Sequence, residues 1–186
     1  MRILGIDPPS LKNLGYAIAD EQHGKIKIVK CGVFTLPDSF HDEVYEYDFA
    51  VKCKHVREAI HSYIHDTTLL VLEQPIISKT SNRFTPPFIL AQTTLMASAI
   101  EQVAIEHNIK RIRVHPKTCK KIITGNGNSS KKDILDIIES KVTIVKILSN
   151  SAWLKKYEHM YDAIALCSTQ GELVESLPIH EDVIVL

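Results

Sequence analysis

Apolar residues fall in short, separated blocks along this chain, and the blocks differ in period. Ile3–Ile6 is a nearly unbroken apolar run that stops at a carboxylate, Asp7. Gly15–Ala19 (GYAIA) and Lys25–Phe34 (KIKIVKCGVF) follow, the second alternating apolar residues with lysine at its start. Short runs of this kind form strands. The pair His23-Gly24 between the last two suits a hairpin turn. Residues 3–34 therefore predict a three-stranded antiparallel meander.

Val44–His65 is polar overall, with Val51, Val56, Ile60 and Ile64 near the helical period, and predicts a helix. Thr68–Glu73 (TLLVLE) is another apolar strand ending in a carboxylate. Gln74–Pro87 holds three prolines among Ser, Thr and Asn residues and reads as a loop, long enough to suggest a functional one. Phe88–His107 gives the clearest helix, with Leu95, Met96, Ala99, Ile100 and Val103 on one face and Thr94, Ser98 and Glu101 opposite. Lys110–Val114 is a strand stopped by Pro116, Lys117–Ile123 a helical turn, and Gly125–Asn128 a tight loop. Ser130 opens a helix to about Ser140, with Asp133 completing a capping box. Val142–Leu148 fits strand or helix, and a further helix covers roughly Ala152–Gln170. The closing LPIHEDVIVL, residues 176–186 with the preceding serine, reads as an edge strand or a tail. Strands first, then strand alternating with helix, is the pattern of a mixed α/β domain. No repeat or linker divides it, so residues 1–186 read as one domain.

Composition changes this picture little. The 186 residues are 45% apolar, which excludes a disordered chain. No apolar run approaches the roughly 20 residues that span a bilayer, and Ile3–Ile6 is too short for a signal peptide. No membrane partner is expected. Cys31, Cys53, Cys119 and Cys167 are scattered without a C-x-x-C pair, which fits reduced thiols.

Charge changes it more. The 22 basic and 22 acidic residues cancel, yet Lys110, Arg111, Arg113, Lys117, Lys120, Lys121, Lys131 and Lys132 occupy a stretch without an acidic residue. A local basic patch of this kind suits a phosphate backbone, with a solvated charged surface as the plain alternative.

A carboxylate at the end of a buried strand costs free energy unless a cation pairs with it. Asp7 and Glu73 both stand there, and His159 and Asp162, three apart on a helix, share a face beside the core-like AIAL. Singly these are cap, salt-bridge or surface residues. Together they form a candidate site for Mg²⁺ or Mn²⁺. Two such ions about 4 Å apart support in-line phosphodiester hydrolysis by water.

The ordered set GIDP, LEQ and H-x-x-D-A-x-A resembles the RuvC family of Holliday-junction resolvases. LGIDPPSLKNLGYAI, LAQTTLMASAIEQVA and PKTCKKIITGNGNSSKKDIL extend the resemblance to about Gln170. It implies an RNase H-like fold, a central mixed five-stranded sheet flanked by helices. It implies catalytic and metal-holding roles for Asp7, Glu73, His159 and Asp162. Lys120 and Lys131 fall where the family carries lysines near the scissile phosphate, with Gly125 and Gly127 between them. Lys117, Lys121 and Lys132 complete a DNA-binding set. Pro9 stands where the family usually has glycine, and Ile76 lies where some members place a base-stacking aromatic; Phe84 and Phe88 are candidates to replace it, or core residues.

Other motifs carry less. GNGNSSKK lacks the lysine of a Walker A loop. His61 and His65 have the i, i+4 spacing of a zinc pair but no H-E-x-x-H glutamate and no obvious third ligand, which reads as a polar helix face. Trp153, Tyr157 and Tyr161 read as packing residues. The expectation is therefore a Mg²⁺-dependent homodimeric crossover junction endodeoxyribonuclease, with Mn²⁺ as a substitute cofactor, that leaves 5′-phosphate ends. Its isologous contact would use the Phe88–His107 helix, and a branch-migration helicase is a candidate partner. It would work in a bacterial cytoplasm, at the nucleoid, or in a host cytosol or organelle matrix. The alternatives are an RNase H-like nuclease acting on other branched DNA or structured RNA, and a non-catalytic junction binder. An actin-like ATPase would need a second lobe.

Overall fold

The computed structural model describes residues 1–8, 13–35, 45–76, 79–80, 83–84, 87–145, 151–180 and 182–185. Pro9, residues 146–148 and the side chains of Phe84 and Trp153 lie outside the described part.

Alternation within three strands sets the architecture. β1 (Arg2–Asp7), β2 (Asn13–Gln22) and β3 (Lys25–Thr35) form the antiparallel meander, with Ile3 opposite Ala19 and Asp7 opposite Gly15. His23 and Gly24 take left-handed backbone angles, φ 52° and 75°, as a two-residue hairpin turn requires. β4 (Leu69–Glu73) pairs parallel with β1, and β7 (Lys110–Val114) parallel with β4. Side chains alternate between the two faces of this sheet. Leu4, Ile6, Leu14, Tyr16, Leu70 and Leu72 face α1 (Tyr45–Ile64) and α2 (Pro87–Glu106). Ile3, Ala17, Ala19, Val33, Leu69 and Val71 face the other way, toward α4 (Lys131–Lys141) and α5 (Ser151–Cys167).

The five-stranded centre appears in the order β3-β2-β1-β4-β7, but the sheet is wider than expected. β9 (Glu172–Leu173) and β11 (Asp182–Val185) each pair parallel with β3, making seven strands. β10 (Ser176–His180) pairs parallel with β8 (Val142–Val145), which resolves that ambiguous segment as strand. The Gln74–Pro87 loop carries a small hairpin, β5 (Lys79–Thr80) with β6 (Arg83–Phe84). α5 ends at Cys167 and passes into a 3-10 turn, Ser168–Gln170.

α2 shows a rotated face. Met96, Ala97, Ile100, Val103 and Ala104 are buried, while Leu95, expected in the core, is 57% exposed. The helix is apolar nearly all round, so its stripe is poorly marked by periodicity. By length and composition it could cross a membrane, but here its buried stripe packs on the sheet and α1.

Candidate active site

Three elements meet at the C-terminal ends of β1 and β4. Asp7 is the last residue of β1 and Glu73 the last of β4. α5 lies across the sheet and brings His159 and Asp162 to the same place. It can do so because β1 and β2 carry glycines beneath it. A Cβ on Gly15 would stand 1.9 Å from the His159 carbonyl oxygen, and one on Gly5 would stand 2.5 Å from that of Ala163. Strand-interior glycines of this kind mark a close backbone approach; sequence reading passed over both.

Ligand atoms of Asp7, His159 and Asp162 all lie within 4.8 Å of one another. Asp7 is buried, and its Oδ2 accepts from His159 Nδ1 at 2.5 Å. That hydrogen bond raises the imidazole above its ordinary pKa. Burial, then the charges of Asp7 and Asp162, push the Glu73 carboxyl up to about 8. Burial and the Asp7 charge push Asp162 up to about 6. Burial is the first cause in both, so these carboxyls hold a proton where a cation is absent. Among the described residues, no other group of His, Cys, Asp and Glu has three ligand atoms this close. Asp7, His159 and Asp162, with the Glu73 carboxyl beside them and outside that group of three, make a largely oxygen donor set that a hard divalent cation fits.

Among the described residues, Lys131 is the lysine that pairs with the cluster. Its Nζ pairs with Glu158 and stands 3.6 Å from Asp162. Burial alone would lower its pKa, but Asp162 and Glu158 outweigh it and the net shift is upward. Lys131 owes its position to the cap before it. Ser130 accepts from Asp133 N, and Ser130 N donates to Asp133 Oδ2 at 2.8 Å, the expected capping box. Glu158 was not foreseen; it stands i, i+4 from Asp162 on the same face of α5 and shares Lys131 with it. A cavity of ≈ 280 Å³ opens beside this pair, walled by Ile134, Leu135 and Tyr161.

The remaining lysines are nearby but not in the carboxylate cluster. Lys120 donates to the Ser129 carbonyl at 2.9 Å and so ties α3 (Pro116–Thr124) to the loop after it. Lys117, Lys121 and Lys132 are exposed. Both loop glycines have an internal reason. Gly125, φ 79°, ends α3 in the left-handed conformation, and a Cβ on Gly127 would stand 3.0 Å from the Lys117 carbonyl. Arg113 is engaged by Glu101 at 2.6 and 2.8 Å. Tyr157 and Tyr161 are buried, as packing residues should be, whereas Phe88 is 54% exposed. Burial pushes the Cys119 thiol up to about 12, so it stays protonated beside the site.

A meander joined to parallel strands, with acidic residues at two central strand ends and on a covering helix, is the layout of an RNase H-like nuclease. A sequence model described as crossover junction endodeoxyribonuclease RuvC matches residues 3–170, and the chain belongs to that family. The RuvC of Salinibacter ruber is 29% identical over 142 residues, 75% of this chain and 72% of that one. The RuvC of Rickettsia typhi is 28% identical over 173 residues, 91% and 96% of the two chains. Thermus thermophilus RuvC in complex with a Holliday junction substrate superposes with a TM-score of 0.64 at 16% identity, covering 91% of this chain and 92% of that one. Yeast mitochondrial Holliday junction resolvase Ydc2 gives 0.58 at 16% identity, covering 89% and 75%. These last two are likenesses of fold.

Proposed function

We propose that this protein resolves four-way DNA junctions by paired, symmetric, metal-dependent nicks. The observation that carries the reading is the convergence of Asp7, His159 and Asp162 within 4.8 Å, beside a Glu73 that burial and its neighbours hold protonated to about pH 8. Asp7, Glu73, Asp162 and His159 would hold Mg²⁺, or Mn²⁺ in its place. When bound, the ion supplies an acidified water and neutralises charge on the scissile phosphate.

The chain's own groups do the rest. With Nδ1–H donated to Asp7, His159 has Nε2 alone left for the reaction, to hold the ion or, when it is not a ligand, to accept or return a proton. Lys131 stands between Glu158 and Asp162, where its ammonium can transfer to a phosphate oxygen and offset developing charge. Lys117, Lys120, Lys121 and Lys132, with the Gly125–Gly127 loop, supply a positive face along the backbone. Lys120 also holds the loop in shape through Ser129.

Two symmetric nicks require two sites, hence a homodimer. The outward face of α2 suits the contact. Phe88, Ala91, Leu95, Ser98 and Gln102 recur at helical spacing and are all exposed, and Phe88 and Leu95 are each more than half exposed.

The test is incubation of the full chain with a synthetic four-way junction, with and without Mg²⁺. Paired nicks bearing 5′-phosphates should form only with the ion. Asp7→Asn should bind the junction as well or better and cut it at least about 10³-fold more slowly. Retained cleavage in Asp7→Asn would remove Asp7 from the site, and equal nicking without a divalent ion would overturn the metal reading.

A further inference from the structure

The far end of the sheet carries a second constellation. α1 leads into the start of β4 and α2 into the start of β7, so both helices end opposite the catalytic strand ends. The length of β4 separates them, about 15 Å at 3.3 Å per residue. At those helix ends stand His61, His65, His107 and Glu106. His107, on the other helix, packs against both members of the pair that the sequence leaves without a third ligand, although no three ligand atoms here stand as close as those of the catalytic cluster.

His61 Nδ1 and His107 Nε2 share a hydrogen bond at 3.0 Å, one ring donating to the other, and an ion would replace its proton. Two nitrogens 2.0–2.1 Å from a tetrahedral ion stand roughly 3.3 Å apart, so these two are near ligand spacing already. The His65 ring centroid is 5.0 Å from that of His107, and the rings are nearly perpendicular at 86°. His65 is exposed, four residues after His61 and just past the end of α1, so completing the set requires its side chain to turn toward the other two rings. Glu106 Oε2 stands 3.7 Å from His61 Nε2. A metal-bound imidazole usually gives its other N–H to a carboxylate, and Glu106 is placed to receive it. Arg57 holds the other Glu106 oxygen at 2.8 Å and fixes the carboxylate.

Backbone features hold the rings in place. Asn108, φ 56°, ends α2 in the left-handed conformation, with Ile109 N donating to Ala104 O at 2.8 Å. Thr67 closes α1 with its amide to Ile64 O and its hydroxyl to Tyr63 O. Two helix C-termini, each the negative end of its dipole, point at one small volume. Three imidazoles and a carboxylate form a softer donor set than the catalytic carboxylates, and one that selects Zn²⁺ or a neighbouring transition ion over Mg²⁺.

We propose that His61, His107 and His65 bind one Zn²⁺-class ion, oriented by Glu106, which clamps the end of α1 to the end of α2. The site is separate from the catalytic cluster and does not take part in cleavage.

The experiment is calorimetric titration of the untagged full chain with Zn²⁺, in wild type, Asp7→Asn, His61→Ala, His107→Ala and Glu106→Gln, with circular dichroism checking each fold. The expected result is one Zn²⁺ event of about micromolar affinity that survives Asp7→Asn. It should weaken at least tenfold in His61→Ala and His107→Ala, and a few-fold in Glu106→Gln. Co²⁺ should give visible absorption bands of tetrahedral type in wild type and Asp7→Asn but not in His61→Ala. Mg²⁺-dependent junction cleavage should be unchanged in His61→Ala. Should either histidine variant lose its fold, His61→Gln or His107→Asn takes its place. Equal Zn²⁺ affinity in the histidine variants, or an event abolished by Asp7→Asn, would overturn the proposal. So would the absence of any event at 100-fold the expected affinity, roughly 10⁻⁴ M.

Discussion

Glu73, Asp162 and His159 all hold their protons more tightly in the folded chain than in the unfolded one. For Glu73 the carboxyl moves from 4.5 to about 8, through burial first and then Asp7 and Asp162. For Asp162 it moves from 3.8 to about 6, through burial and Asp7. His159 is raised from 6.5 by its bond to Asp7. The sign is common to the three. Between about pH 4 and 8 the folded state binds more protons, so stability falls as pH rises through that window. For the carboxylates the loss begins above the unfolded pKa and is complete above the folded one. Metal-free protein in EDTA should therefore melt at least about 5 °C lower at pH 8 than at pH 5. Millimolar Mg²⁺, binding only the folded state, should flatten the profile. Thermal scans across pH with EDTA or Mg²⁺ measure this, and a flat EDTA profile would mean that the acidic charges are already balanced. Asp7→Asn should reduce the slope in EDTA, since it removes a repulsive charge from both carboxyls. Strain of this kind is what readies the site for a cation.

The position of α5 is the element-level determinant of the site, and Gly15 sets it. Gly15→Ala would drive a methyl into the His159 carbonyl, and overpacking against backbone costs about 1–3 kcal/mol. The helix must shift, carrying His159 and Asp162 with it. Single-turnover cleavage should fall about 100-fold, while junction binding, proposed to run through the α3 and α4 lysines, should hold. Cleavage at the wild-type rate would show that α5 has slack against β2. The same element explains what the sequence made legible. Asp7, Glu73, His159 and Asp162 stood out because charge beside an apolar strand or helix core is costly and so conspicuous. The Ser130–Asp133 cap and the His23-Gly24 turn stood out because their chemistry is local. Glu158 did not, since its value comes from Lys131 on another helix. The buried face of α2 did not either, because apolar residues surround that helix and only the sheet selects which are covered. β5 and β6 are two residues each and leave no period to read. β9 and β11 depend on an open edge of β3, which the order of strands along the chain does not announce.

At the scale of the whole molecule, the proposed paired nicks would call for two copies held at a fixed spacing. Leu95→Glu puts a charge on the exposed face of α2. The chain should then sediment as a monomer at concentrations where wild type is dimeric, with the dissociation constant raised at least about 100-fold. On junctions it should leave single nicks in place of paired ones. An unchanged sedimentation profile would move the contact to another face. Paired cuts by a proven monomer would remove the need for a dimer. The remaining edge of the sheet bears on association of another kind. β7 is an outer strand of the described sheet, with Lys110, Arg111 and Arg113 along its short length. Those charges were counted first as part of a nucleic-acid footprint, yet cations on an open strand also stop a second molecule from zipping onto it. A version of this chain with Val and Thr in their place would present a bare β-template, and it would be prone to form fibrils in concentrated solution.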